Sequence, residues 1–188
     1  MTPERWTWLL NFTGFQLGWF ACVLGGAWGL GTTGALVGLL LALLHLAATP
    51  HRRPEVILLF AAGLMGAAFD TSLIFSGAAK FSDGGLGSHI APEWMIVLWM
   101  LFAATLNVSL SWLKARIWVA VLAGAISGPL AYLAGERLGA MIVVDRNLML
   151  VWLVVGWGIA VPALASLSNR LCGFGNPALY APSMCHWP

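Results

Sequence analysis

The residues best able to do chemistry in this chain are the few polar side chains that interrupt its long apolar runs. Asp70 is the only acid inside such a run, and the neutral polar groups there include amides and one imidazole. A polar group in a segment of this kind needs a partner or a cavity, so it marks a candidate site. The candidate polar intramembrane site comprises Asn11, Gln16, His45, Asp70, Asn107 and Arg137.

Asp70 lies about five residues before the end of the third apolar run. A charged side chain near the bilayer centre costs about 2.5–3.5 kcal/mol on insertion scales, which favours a nearby counter-charge. We expect Asp70 to pair with Arg137 or Arg146, with Lys80 as a further candidate partner. Such a pair would either belong to a functional site or only fix the packing of the helices.

A second polar group is expected nearer the opposite ends of the helices. Asn11, His45 and Asn107 fall at similar depths at about 1.5 Å per helical residue, and Gln16 falls closer to the midplane. An amide has four hydrogen-bonding positions and is costly to expose to acyl chains, so Asn11 and Asn107 should face the bundle interior. They would bind a lipid headgroup or hydrogen-bond between helices, and the second reading is favoured because such bonds are common in membrane bundles.

Familiar catalytic signatures are missing from the sequence. It contains no G-x-S-x-G, H-E-x-x-H, C-x-x-C or G-x-x-x-x-G-K-[ST] pattern. The histidines at 45, 51, 89 and 186 do not have metal-ligand spacing, so no metal site is predicted. Catalytic residues and cofactors therefore stay unassigned, and the sequence does not decide whether the protein is an enzyme.

Composition identifies the class of protein that must position these residues. Of 188 residues, 60% are apolar and only 9% are Asp, Glu, Lys or Arg, against about 25% in an average soluble domain. The net charge of +2 is too small to indicate a nucleic-acid partner. The chain is an integral membrane protein. Its expected partners are membrane lipids, with other membrane-protein subunits as further candidates.

The apolar runs predict an all-α, polytopic transmembrane bundle. About 20 apolar residues are needed to cross a bilayer core, and six runs approach that length. The predicted spans are Trp6–Trp28, Gly31–Ala48, Val56–Phe75, Trp94–Leu113, Ile117–Ala134 and Asn147–Leu167. One bundle domain would occupy residues 1–167, and residues 168–188 would form a C-terminal cytoplasmic tail.

Basic residues predict the orientation of the bundle. Cytoplasmic loops of membrane proteins are enriched in Lys and Arg. With both termini in the cytoplasm, six bases lie inside and three outside; the inner ones are Arg5, Arg52, Arg53, Lys114, Arg116 and Arg170. Glu4 and Glu55 are the inner acids, whereas the outer loops carry four.

Small residues recur at helical spacing and predict where helices touch. Gly34, Gly38 and Ala42 form one such stripe, and a second begins at Ala120 and includes Gly124 and Gly128. In lipid, close backbone approach at small residues favours helix association.

Three sequence motifs resemble a known family. They are Asn11-Phe12 with Phe15-Gln16-x-Gly18-Trp19, Leu106-Asn107-x-Ser109-Leu110, and Gly128-Pro129-Leu130-Ala131-Tyr132. Together they resemble a family of small bacterial inner-membrane proteins of unknown function over roughly residues 8–167. The resemblance implies a multi-pass protein of the bacterial cytoplasmic membrane. It also implies relatives that are often encoded beside methyltransferases similar to cyclopropane-fatty-acid synthases, which would link the family to membrane-lipid modification or to envelope stress.

Three functions fit these observations. The first is the modification or handling of membrane lipids, supported by the buried polar residues and by the resemblance. The second is a non-catalytic accessory or structural subunit of a larger membrane complex, which the missing catalytic signatures would suit. The third is a transporter-like component that binds a small molecule; the sequence has no internal repeat to support it.

Overall fold

The computed structural model describes residues 3–83 and 89–171 and confirms the predicted all-α bundle. Each apolar run forms a helix, because a helix satisfies its backbone hydrogen bonds internally where no water can do so. The helices are α1 (Pro3–Ala27), α2 (Gly31–Ala48), α3 (Arg52–Phe75), α4 (Glu93–Leu106), α5 (Ile117–Arg137) and α6 (Arg146–Leu171).

Five of these helices are long and apolar enough to cross a membrane, and α4 is the exception. With 14 residues, α4 is about 21 Å long at 1.5 Å per residue, shorter than a hydrocarbon core of about 30 Å. The prediction that the fourth span continues to Leu113 was wrong. The chain turns after Leu106 and forms a short 3-10 helix, Ser111–Ala115, which returns Lys114 to the side chain of Asn107.

Helix α4 forms the centre of the bundle. Ten of its 14 residues are buried, and it packs against α1, α2, α3 and α6. The other helices pack mainly in neighbouring pairs, α1 with α2 and α5 with α6. A helix enclosed in this way needs less length than one that faces lipid, because its neighbours supply the contact with the membrane.

The helices run alternately up and down, so the bundle has two ends of different character. One end, called the cluster end here, holds the start of α1, the 3-10 helix and the end of α6. Trp8 Nε1 donates to the Ser109 carbonyl there, and Asn169 Nδ2 donates to the Lys114 carbonyl. The described ends of α1 and α6 therefore lie at the same end of the bundle.

The opposite end, called the strand end, contains a structure that the sequence analysis missed. Strand β1 (Ala79–Phe81) and strand β2 (Met141–Val143) pair antiparallel, with Lys80 opposite Ile142. The two strands come from separate loops, α3–α4 and α5–α6. Their pairing ties these connections together, whereas the sequence indicated only turns and connectors.

Small residues make the helix contacts that their spacing predicted. A Cβ atom at Gly34 would lie 2.5 Å from the Ala21 carbonyl oxygen, so α1 and α2 approach closely only because this atom is missing. At Gly124 the corresponding distance to the Trp157 carbonyl oxygen is 2.2 Å, between α5 and α6. Both predicted stripes are therefore confirmed as helix interfaces.

Helix α6 continues to Leu171, which moves the predicted boundary at residue 168. Ser168 is fully buried in the bundle and is not part of a tail. Residues 172–188, which include Cys172, Cys185 and His186, lie outside the described residues.

The fold predicts that the two ends of α3 are accessible from opposite sides of the membrane. His51 is exposed just before α3 at the cluster end, and Ser82 is exposed at the strand end. With Cys172 and Cys185 replaced by serine, a membrane-impermeant thiol reagent added outside intact cells should label only one of His51→Cys and Ser82→Cys. The distribution of basic residues predicts that Ser82→Cys is the labelled variant. Labelling of both positions from one side would contradict the topology.

Candidate functional site

A buried polar cluster lies at the cluster end and is centred on Glu55, in the first turn of α3. Glu55 has 0% of its surface exposed. One carboxylate oxygen accepts a hydrogen bond from His45 Nε2 at 2.8 Å, and the other accepts one from Asn107 Nδ2 at 2.7 Å. The polar cluster comprises Asn11, His45, Glu55, Asn107, Ser109, Lys114 and Ser168.

Asn11 connects α1 to this cluster. Its Oδ1 accepts a hydrogen bond from Ser109 Oγ at 2.6 Å, and its Nδ2 donates to the Ala104 carbonyl at 3.1 Å. The same Nδ2 lies 3.5 Å from His45 Nδ1. Since Glu55 accepts from Nε2, the imidazole tautomer that fits is the one with its proton on Nε2 and a lone pair toward Asn11.

Asn107 connects the end of α4 to the 3-10 helix and to α6. Its Oδ1 accepts from Lys114 Nζ at 2.5 Å and from Ser168 Oγ at 2.6 Å, while its Nδ2 serves Glu55. The structure thus brings Asn11, His45 and Asn107 together, and Asn11 and Asn107 reach the bundle interior. Their role in binding a ligand stays a prediction.

Lys114 belongs to the 3-10 helix, outside the spanning helices, and its charge is affected by burial. Burial disfavours the ammonium form and lowers the pKa of Lys114 to about 8, and the Glu55 carboxylate opposes this by favouring the charge. Lys114 donates a hydrogen bond to Asn107, and its ammonium group loses its proton as the pH rises through about 8.

The polar cluster is built to hold the bundle together. Its amide and carboxylate groups bond to side chains of the cluster and to the Ala104 carbonyl of α4, which joins α1, α2, α3, α4, α6 and the 3-10 helix. Ser109 Oγ donates to an amide oxygen, which cannot accept a proton as a general base does, so the contact does not activate a nucleophile. Among residues 3–83 and 89–171, no group of three or more His, Cys, Asp or Glu side chains is placed to hold a metal.

Asp70 lies in a second buried site, and its expected pairing with arginine was wrong. It is 0% exposed and accepts hydrogen bonds from Trp99 Nε1 at 2.9 Å and from the Tyr132 hydroxyl. Neutral donors from α4 and α5 satisfy the carboxyl group without bringing a second charge into the bundle. This avoids the desolvation of a guanidinium, which a buried ion pair would have required.

The expected basic partners of Asp70 lie at the strand end. Arg137 is exposed at the end of α5, and Lys80 is exposed on β1. Arg146 pairs with Glu136, with its Nη2 2.9 Å and 3.2 Å from the two carboxylate oxygens. Arg137 is therefore separate from Asp70 and from the polar cluster.

A groove of about 500 Å³ separates α1 from α5 and is floored by α4 and by Trp157 of α6. Nine aromatic residues line it: Phe12, Phe15, Trp19, Phe20, Trp94, Trp99, Phe102, Tyr132 and Trp157. On α1 the lining runs from Phe12 to Val23, a rise of about 17 Å at 1.5 Å per residue. The groove is therefore long, apolar and parallel to the helices.

Gln16 lines this groove and is separate from the polar cluster, although it was predicted in the same site as Asn11. Ser127 of α5 also lines it. Trp157 Nε1 is buried and has no hydrogen-bond partner among the described residues. Trp99 and Tyr132 line the groove too, and both donate to Asp70, so the Asp70 carboxyl group fixes the floor and one wall.

Sequence reasoning missed Glu55 because it lies next to the predicted start of the third span and was assigned to a loop. The feature that could have indicated its burial is its position directly before Val56, at the beginning of a long apolar run. Only the return of the chain after α4 places Asn107 and Lys114 beside it. The groove had no comparable signal, since aromatic residues in apolar helices also face lipid.

Comparison with known proteins places the chain in a family. The family model described as "Protein of unknown function (DUF2878)" matches residues 8–163. The chain belongs to this family. The match covers all six helices in whole or in part and includes both the polar cluster, except Ser168, and the groove. No curated protein and no solved structure matches the DUF2878 chain significantly.

The polar cluster predicts a large loss of stability when Asn107 is replaced by leucine. Asn107→Leu removes the hydrogen-bond partner of Glu55 Oε2, Lys114 Nζ and Ser168 Oγ, while Glu55 Oε1 keeps its bond from His45. An unsatisfied buried polar group costs about 1–3 kcal/mol. We expect thermal unfolding in detergent at a clearly lower temperature. Asn147→Leu, the same change at an exposed position in the first turn of α6, is the control. Equal unfolding temperatures for the two variants would contradict this role of the cluster.

The lowered pKa of Lys114 predicts its reactivity toward amine reagents. Only the neutral amine is acylated, so the labelling rate of Lys114 should be half-maximal near pH 8. Peptide mass spectrometry separates it from Lys80, which is the only other lysine in the sequence. Lys114→Arg should remove the signal. A half-maximal rate near the ordinary lysine pKa of 10.5 would show that Lys114 is not buried as described.

Proposed function

We propose that this protein binds one hydrocarbon chain of a membrane lipid in the groove between α1 and α5, and so takes part in lipid handling or modification. The observation that supports this is the groove itself. Its volume of about 500 Å³ is within the range of about 300–1,000 Å³ typical of ligand pockets. Its length along α1, its apolar lining and its direction parallel to the helices suit an extended chain of the surrounding lipid.

We also propose the location and orientation that the sequence predicts. The protein would lie in a bacterial inner membrane with the cluster end toward the cytoplasm, because six bases lie at that end and three at the other. Holding a lipid for a separate modifying enzyme needs only the groove.

A test of lipid binding can use the glycines of two spanning helices. Gly135 lines the groove, and a Cβ atom there would meet nothing within 4 Å, so the side chain of Gly135→Leu can enter the groove without a clash at its Cβ. Gly14→Leu is a matched control, since a Cβ at Gly14 also meets nothing within 4 Å and Gly14 does not line the groove.

The proposal predicts that the wild-type protein and Gly14→Leu retain lipid through purification in mild detergent. Gly135→Leu should retain at least about tenfold less, since one methylene in an apolar pocket is worth about 10–200-fold. Native mass spectrometry measures lipid bound per chain, and thermal unfolding checks that both variants are folded. Equal retention by the two variants, or a partner protein bound in place of lipid, would contradict the proposal.

A further inference from the structure

The two ends of the groove differ in charge. Near the cluster end the chain carries six basic residues and two acids, and near the strand end it carries three basic residues and four acids. At the strand end, Arg146 is already paired with Glu136. A lipid chain lying along the groove has its headgroup at one end or the other, and the excess of positive charge is at the cluster end.

Arg5 continues the groove-lining face of α1 toward the cluster end. It lies seven residues before Phe12, which is two turns, so the two residues share a helix face about 10 Å apart along the axis. Trp8 covers the interval, since its ring stacks on Phe12 with centroids 5.4 Å apart and its Nε1 donates to the Ser109 carbonyl. The wall of the groove thus extends through Trp8 to an exposed arginine.

Arg116 lies at the cluster end of α5, the helix that forms the opposite wall. It is the N-cap residue of α5 and lies eleven residues, about three turns, before the groove-lining Ser127. Its side chain is exposed, whereas the neighbouring Lys114 turns inward to Asn107. An exposed arginine therefore lies at the cluster end of each of the two helices that wall the groove.

We infer that the groove holds its lipid in one direction, with an anionic headgroup at the cluster end against Arg5 and Arg116. This inference rests on the proposed function and specifies the ligand class. Basic residues attract anionic lipids by about 1 kcal/mol each at a membrane surface, and a phosphate group is a natural partner for the guanidinium fork. A chain in the groove would place such a headgroup at the end of the bundle where the two arginines lie.

The inference is tested by the preference between two lipids with the same acyl chains. Purified protein is given equal amounts of dioleoylphosphatidylglycerol, which is anionic, and dioleoylphosphatidylcholine, which is zwitterionic, and bound lipid is counted by native mass spectrometry. The wild type should prefer the anionic lipid. Arg5→Gln and Arg116→Gln should each lower this preference about fivefold, and binding of the anionic lipid should weaken in high salt.

Arg137→Gln is the matched control, because Arg137 is an exposed arginine at the strand end of α5. It should leave the preference unchanged. A preference that depends on Arg137, or one that survives loss of both Arg5 and Arg116, would overturn the inferred direction.

Gly135→Leu separates a failure of the inference from a failure of the proposed function. If it removes both lipids and the wild type shows no preference between them, the groove binds lipid but the inferred headgroup class is wrong. If it removes neither lipid, both the groove site and the inference built on it are wrong.

Discussion

Two carboxyl groups without any exposed surface, Glu55 and Asp70, impose the strictest requirement on this bundle. Both belong to α3, and in a membrane no water reaches a group that the protein encloses. Glu55 takes its donors from α2 and from the turn after α4, and Asp70 takes its donors from α4 and α5. Satisfying two acids on one helix therefore fixes α2, α4 with the turn that follows it, and α5 around α3.

The shape of α4 follows from the first of these acids. A fourth span of ordinary length would carry Lys114 about 10 Å along the helix away from Asn107, at 1.5 Å per residue. Ending the helix at Leu106 leaves Asn107 as its C-cap and allows Lys114 to fold back onto the same amide. The groove depends on the second acid, because the donors to Asp70, Trp99 and Tyr132, form its floor and one wall. The hydrogen bonds that satisfy the buried Asp70 therefore also hold residues that line the groove.

The candidate site was predictable only in part. The cost of an amide in lipid was enough to predict that Asn11 and Asn107 face the interior, and the structure places them there. The same reasoning assigned arginine partners to Asp70, because counting charges favours a counter-ion. It did not consider that Trp99 and Tyr132 carry polar hydrogens, which satisfy a carboxyl group at less desolvation cost than a guanidinium. Gln16 was placed above Asn11 in the same site, although five residues along a helix turn the side chain about 140° away from Asn11.

The sequence by itself determined the class of protein, the number of helices and the helix contacts at Gly34 and Gly124. Those properties depend on composition and on spacing along one chain, so they need no knowledge of distant neighbours. Only the tertiary structure decided which residues meet. The Glu55 network, the β1–β2 pairing and the groove between α1 and α5 each join segments far apart in sequence, at positions set by how the helices pack and turn relative to one another. Sequence spacing fixes how far along its own helix a residue lies. Which residues it contacts depends on how each of the six helices is rotated about its axis and which helices are its neighbours.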